Sequence, residues 1–245
     1  MQMPRLNFVA RAKKIDTILA GTYGKKKQRR RTDPTSELIL TILSQNTNDI
    51  NRDKAYSALK KRFPAWGDLA QARQPDIART IRVGGLANIK SARIKKILLQ
   101  IEAKSSDFSL RYLDKMSDEE IWDHLMSFKG VGPKTASCVL LFALGRKAMP
   151  VDTHVHRVGL RLGMIPKGYN AEKAHRWFLD LDLPLEIYQF HLNLIAHGRI
   201  LCRPSHPKCH ECPLTRYCRY YSEHVRGHGS SGGKAPRRMQ SHDRP

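Results

Sequence analysis

Residues 117–157 read SDEEIWDHLMSFKGVGPKTASCVLLFALGRKAMPVDTHVHR, and the rest of the chain is organised around them. Ser117 followed by Glu120 forms a capping box, which predicts a helix starting there and running to about Met126. The pattern breaks at Phe128-Lys129-Gly130-Val131-Gly132-Pro133. Gly130 and Gly132 are read as supplying positive-φ geometry and close access to the backbone. Pro133 suits the first position of a new helix, where its missing N–H costs nothing. From Thr135 to Leu144 nearly every residue is apolar or small, so this second helix is expected to be buried on most sides. The reading is a helix–hairpin–helix whose turn aims unpaired backbone N–H groups outward. Such a turn suits an anion, a DNA phosphate among them.

Composition points the same way without deciding it. The 245 residues carry 44 Lys and Arg against 22 Asp and Glu, a net charge of +22. A polyanionic partner with salt-sensitive binding follows, but a ribosomal or chromatin protein would look alike. No apolar run approaches the ~20 residues a membrane helix needs. The opening MQMPRLNFVARAKK lacks the apolar core of a signal peptide. The expectation is an intracellular monomer, in the cytoplasm or nucleoid of a bacterium or the nucleus or mitochondrion of a eukaryote. Of the five cysteines, Cys202, Cys209, Cys212 and Cys218 crowd together after His197-Gly198-Arg199 in a C-x6-C-x2-C-x5-C pattern. Four thiolates in one short loop read as soft-metal ligands rather than disulfides. Zinc sites usually show two C-x2-C pairs and this window has one, yet zinc stays open as an alternative. Cys138 stands apart on the apolar helix and reads as a packing residue.

In chain order, helical periodicity marks residues 5–20, followed by the basic run Lys25-Lys26-Lys27-Gln28-Arg29-Arg30-Arg31, a solvated loop or a phosphate-contacting patch. Asp33-Pro34 caps a buried helix through Leu43 that ends in Ser44-Gln45-Asn46-Thr47-Asn48-Asp49. An amphipathic helix over 51–63 and two short ones over 66–82 lead to Val83-Gly84-Gly85-Leu86, a turn into a long basic helix ending near Ala103. Helices are predicted over 153–163, 171–181 and 186–200. No stretch alternates with period two, so the fold class is all-α. Residues 222–245 are rich in Gly, Ser, Pro and Arg and are expected to be a disordered tail.

The combination GVGPKTA … VDTHVHR, together with the cysteine spacing, resembles the endonuclease III family of DNA glycosylases over about residues 5–220. That resemblance implies two helical lobes with a DNA cleft between them. Residues 33–145 would form a six-helix domain containing the hairpin, and residues 1–32 with 146–221 an iron–sulfur domain. It implies a [4Fe–4S] cluster on Cys202, Cys209, Cys212 and Cys218. It also implies that Leu86 wedges into the duplex, and that Gln45 or Asn46 fills the gap left by the extruded nucleotide. Here the family's Gln position holds Asn46, with Gln45 one residue earlier. The hairpin reads Phe-Lys-Gly where Leu-Pro-Gly is common, which leaves the preferred base open.

The chemistry of base removal asks for two groups. Departure of the base leaves oxocarbenium character on the sugar; a carboxylate stabilises it and an amine can attack it. Asp152 and Lys134 are the candidates. The positive end of a helix at Lys134 favours the neutral amine that Schiff-base chemistry requires. The bland readings are a phosphate-binding lysine and a helix-capping aspartate, and capping is compatible with catalysis. Adenine-mismatch relatives usually lack this Lys and carry a Glu that aligns with Thr41, and alkylation-specific relatives also usually lack it. The sequence therefore predicts a bifunctional glycosylase and AP lyase acting on oxidised pyrimidines in damaged double-stranded DNA. The alternatives are a sibling glycosylase for a mismatched or modified base, a non-catalytic module gripping abasic or distorted DNA, and a zinc-bearing RNA-binding protein.

Overall fold

The computed structural model describes residues 5–28, 31–181 and 183–225, and within them it is helical, with no strand. Before the hairpin come α1 (Arg5–Tyr23), α2 (Pro34–Leu43), α3 (Asp49–Arg62), α4 (Trp66–Gln71), α5 (Gln74–Thr80), α6 (Ala87–Glu102) and α7 (Asp118–Met126). After it come α8 (Pro133–Cys138), continued by a π-helical turn (Val139–Ala143), then α9 (Thr153–Leu162), α10 (Ala171–Leu181), α11 (Ile187–Ile200) and α12 (Arg219–His224).

Local side-chain chemistry sets the boundaries. Ser36 N–H donates to Asp33 Oδ2 at 2.9 Å and Pro34 opens α2, so one orphan donor is satisfied and another never existed. Asn51 N–H donates to Asn48 Oδ1 at 2.8 Å and starts α3. The capping box of α7 closes in both directions, Glu120 N–H to Ser117 Oγ at 3.2 Å and Ser117 N–H to Glu120 Oε2 at 2.7 Å. α9 ends at Gly163 in the left-handed conformation, φ 70°. One boundary differs from expectation. Residues 222–224 belong to α12 rather than to a tail, because Cys218 Sγ accepts the Tyr221 N–H at 3.4 Å and caps that helix. Residues 226–245 lie outside the described residues, as do Arg29 and Arg30 of the basic run.

The apolar faces bury into two separate cores. Leu38, Ile42, Leu59, Ile94, Leu98, Leu125, Val139 and Leu140 belong to the first, drawn from α2 to α8. Phe8, Ile15, Leu19, Leu141, Val155, Val158, Phe178 and Phe190 belong to the second, drawn from α1, α9, α10 and α11. Each such side chain contributes roughly 1.5–3 kcal/mol by leaving water. The π-helical turn is where the cores meet: Leu140 faces the first and its neighbour Leu141 faces the second. An Arg199–Asp49 ion pair at 2.8 Å adds a link from α11 to α3. Both of its side chains are about half exposed, so it is worth ~0–1 kcal/mol. No helix among the described residues is long and apolar enough to cross a membrane.

Candidate functional site

Lys134 is the second residue of α8, half-buried, directly after the hairpin. Asp152 is the N-cap of α9, with Oδ1 accepting the Val155 N–H at 2.7 Å. Capping fixes the carboxylate at the head of that helix with its second oxygen unused by the cap. The two residues come from opposite sides of the π-helical turn, yet their charges act on the same buried groups, His175, His191 and Cys138. Lys134 and Asp152 thus both lie within electrostatic reach of His175 and His191.

The backbone leading into Asp152 is held by neutral imidazole. Val151 N–H donates to His175 Nε2 at 2.8 Å, while His175 Nδ1–H donates to the Ala171 carbonyl at 2.6 Å. His191 is buried, hydrogen-bonds the Pro150 backbone, and keeps an Nδ1 with no partner. Burial lowers the pKa of each histidine to about 4, so both stay neutral at pH 7. Across the site, Glu37 on α2 accepts from Thr32 Oγ1 at 3.0 Å and Thr41 Oγ1 at 3.2 Å. Burial raises its pKa, and the two hydroxyls and the charges of Arg52 and Lys134 pull it back. Sequence reasoning missed Glu37, His175 and His191. Glu37 could have been found as the one carboxylate on the otherwise apolar α2.

The hairpin glycines play different parts. Gly130 has φ 91°, and a Cβ there would run into the guanidinium of Arg93. Gly132 is extended at φ −114°, and nothing lies within 4 Å of where its Cβ would be. Positive φ was expected of both, but only Gly130 requires it; the turn is completed by the Val131 N–H donating to Phe128 O at 2.9 Å. The open space above Gly132 is where a partner can approach the first amides of α8.

Two further turns flank α6. Asn46 takes the left-handed conformation at φ 50° and is exposed, whereas Gln45 is half-buried and accepts from Arg93 Nη1. Leu86 is also left-handed, φ 49°, and is 47% exposed beside exposed Val83 and Ile89.

Cys202, Cys209, Cys212 and Cys218 are free thiols that line one small cavity together with Arg161, Leu162, His197 and Tyr220. N–H groups aim at three of the sulfurs: Arg161 Nη1 at Cys202 (3.3 Å), Leu214 at Cys212 (3.4 Å) and Tyr221 at Cys218 (3.4 Å). Burial and the neighbouring thiols hold Cys212 up at about 11. Among the described residues no group of three or more His, Cys, Asp or Glu is arranged to hold a single metal ion.

Residues 39–180 match the family described as HhH-GPD superfamily base excision DNA repair protein. Endonuclease III of Thermotoga maritima is 33% identical over 197 residues, 80% of this chain and 87% of that protein. Endonuclease III of Sulfolobus acidocaldarius is 31% identical over 194 residues, 77% and 83% of the two chains. An Arabidopsis thaliana relative named "Putative DNA glycosylase At3g47830" is 42% identical over 165 residues, which are 66% of this chain and 56% of it. The chain thus spans little more than half of that plant protein. A solved structure of a trapped endonuclease III–DNA covalent intermediate superposes with a TM-score of 0.73 at 24% identity, covering 92% of this chain and 100% of that one. The fold is therefore shared. The chain belongs to the HhH-GPD superfamily of base excision DNA repair proteins. Within that superfamily its place is among the endonuclease III-like proteins.

Proposed function

We propose that the protein is a bifunctional DNA glycosylase and AP lyase that removes oxidised pyrimidines from double-stranded DNA. The duplex backbone rests on the hairpin amides near Gly130 and Gly132, and the damaged nucleotide is turned out of the stack. Leu86, with Asn46 and Gln45 on the neighbouring turn, fills the space the nucleotide leaves. Asp152 stabilises positive charge on the sugar as the C1′–N bond breaks, and the Lys134 amine, giving up a proton, forms a bond to C1′ as the base departs. The ring opens to an imine. Loss of a C2′ proton then expels the 3′ phosphate by β-elimination, and water releases the lysine. What supports this reading is Lys134 opening the helix after the hairpin, together with Asp152, whose carboxylate is fixed at the head of α9 by its cap to Val155, in a chain of the base excision DNA repair superfamily.

The cysteines fit a [4Fe–4S] cluster. They share one cavity and three of them accept N–H bonds at sulfur, as thiolates holding such a cluster do. Held by Cys202, Cys209, Cys212 and Cys218, such a cluster braces the loop that carries Arg203 and Lys208.

The test is trapping. Wild-type protein incubated with an abasic-site duplex and borohydride gives a covalent adduct, and Lys134→Ala gives none. Adduct formation by both proteins, or by neither when the duplex is bound, would discard the lyase assignment.

A further inference from the structure

α6 buries a lysine on its apolar stripe. Ile94, Ile97, Leu98 and Ile101 fill the first core, and Lys90, one turn ahead of Ile94, is 1% exposed. Burial of an ammonium is costly unless its protons are satisfied. The partners of Lys90 are backbone carbonyls: Nζ donates to Leu43 O at 2.8 Å and to Gly84 O at 2.7 Å. Leu43 is the last residue of α2, and the turn carrying Gln45 and Asn46 begins immediately after it. Gly84 closes a short 3-10 turn (Arg82–Gly84), ahead of Gly85 and the left-handed Leu86. The Lys90 main chain grips the same turn, its N–H donating to Leu86 O at 2.9 Å. The two turns lie side by side, since a Cβ on Gly85 would sit 3.9 Å from the Asn46 carbonyl oxygen. Nearly one helical turn further on, Arg93 donates to Gln45 Oε1 and occupies the space beside Gly130.

We infer that Lys90 and Arg93 are positioning residues that lock the Gln45–Asn46 turn, Leu86 and the Gly130 hairpin into one register, so that both turns enter the duplex together as the nucleotide leaves it. The inference rests on the glycosylase reading above. It explains why an ammonium is kept in an apolar core: it bridges two backbone carbonyls at the bases of two turns, which no apolar side chain of that length can do. It also accounts for the positive φ of Leu86, a conformation that persists only where its surroundings enforce it.

The experiment compares wild type, Lys90→Met and Arg93→Leu in single-turnover reactions on two duplexes. One carries a paired oxidised pyrimidine, whose removal requires unstacking; the other carries a preformed abasic site, which has no base to extrude. A 2-aminopurine beside the lesion reports unstacking. Base removal and the fluorescence rise are expected to fall on the order of 100-fold in Lys90→Met, less in Arg93→Leu, with abasic-site cleavage falling far less than base removal in each variant. An equal loss on both duplexes, or unchanged base removal in both variants, overturns the inference. If Lys90→Met does not fold, the half-buried Arg93 variant decides alone by the same criteria. Wild-type protein that cleaves neither duplex overturns the lyase reading instead. The unstacking signal then decides for the positioning residues, which must lose it.

Discussion

The two cores hold their buried polar groups by opposite electrostatic means. Beside the first core the group is charged, the ammonium of Lys90 between two carbonyls. Beside the second, His175 and His191 serve as neutral rings, and His175 must accept the Val151 N–H to do so. Burial lowers the pKa of Lys90, and acid only favours its ammonium, so its hydrogen bonds survive a fall in pH. An imidazole acceptor is lost on protonation. The segment that aims Asp152 is therefore acid-sensitive, and the turns flanking α6 are not. A second asymmetry lies in what closes each core. The second borders Cys202, Cys212 and Cys218, with Leu214 between the last two buried in it, and the first borders none of the four clustered cysteines.

The widest separation between the halves is expected from the cysteines. Structural metal centres contribute on the order of 10 kcal/mol to the folds they close. If the four cysteines hold the cluster proposed above, Cys212→Ser gives colourless protein in which amides of α9 and α11 lose hydrogen-exchange protection while those of α2 and α6 keep it. Protection lost uniformly would show that the two cores unfold as one unit, and unchanged protection would remove the cysteines from the fold's support.

Acid should separate the halves less severely. His175 and His191 are depressed from 6.5 to about 4 in the folded state, so the unfolded chain binds protons more readily. Their contribution is complete above about pH 6.5, and it drains away as pH falls towards 4, about 3 kcal/mol for each histidine. Glu37 beside the first core has the opposite sign. Its raised pKa costs stability when it is ionised and returns it as pH falls. Urea unfolding followed at pH 7 and pH 5 should show α9 to α11 weakening first, with a flatter pH slope in His175→Gln. Equal weakening of both halves would contradict the neutral-imidazole account.

Much of this was legible in the sequence where the chemistry is local. Ser117 and Glu120 announce α7, Asp33 and Pro34 announce α2, and the break at Ser44 falls where expected because caps involve residues three or four apart. What was hidden depends on distant backbone. Among Lys90, Arg93, Lys95 and Lys96, α6 reads as a basic helix, and only the offset of Lys90 from Ile94 sets it on the buried stripe. His175 meets Val151 across 24 residues, a separation that periodicity does not carry. Gly130 and Gly132 look equivalent in sequence, and the packing of Arg93 distinguishes them.

The finest comparison is between two N-caps, one on each side of the hairpin. Ser117 Oγ accepts from Glu120 N–H at 3.2 Å, and Asp152 Oδ1 accepts from Val155 N–H at 2.7 Å. As caps they do the same work, but only Asp152 acts electrostatically on the buried histidines, as Lys134 does. Ser117→Ala removes the acceptor and should cost ~1 kcal/mol of stability while leaving base removal unchanged. Asp152→Asn keeps a capping oxygen of nearly equal strength, so its urea midpoint should stay within a few tenths of a kcal/mol of wild type. It loses only the negative charge, and base removal should collapse. Stability and single-turnover rate thus move in opposite patterns at two chemically similar positions. If Asp152→Asn lost stability and rate together, the carboxylate would be a structural cap and its assignment to the sugar cation would fall.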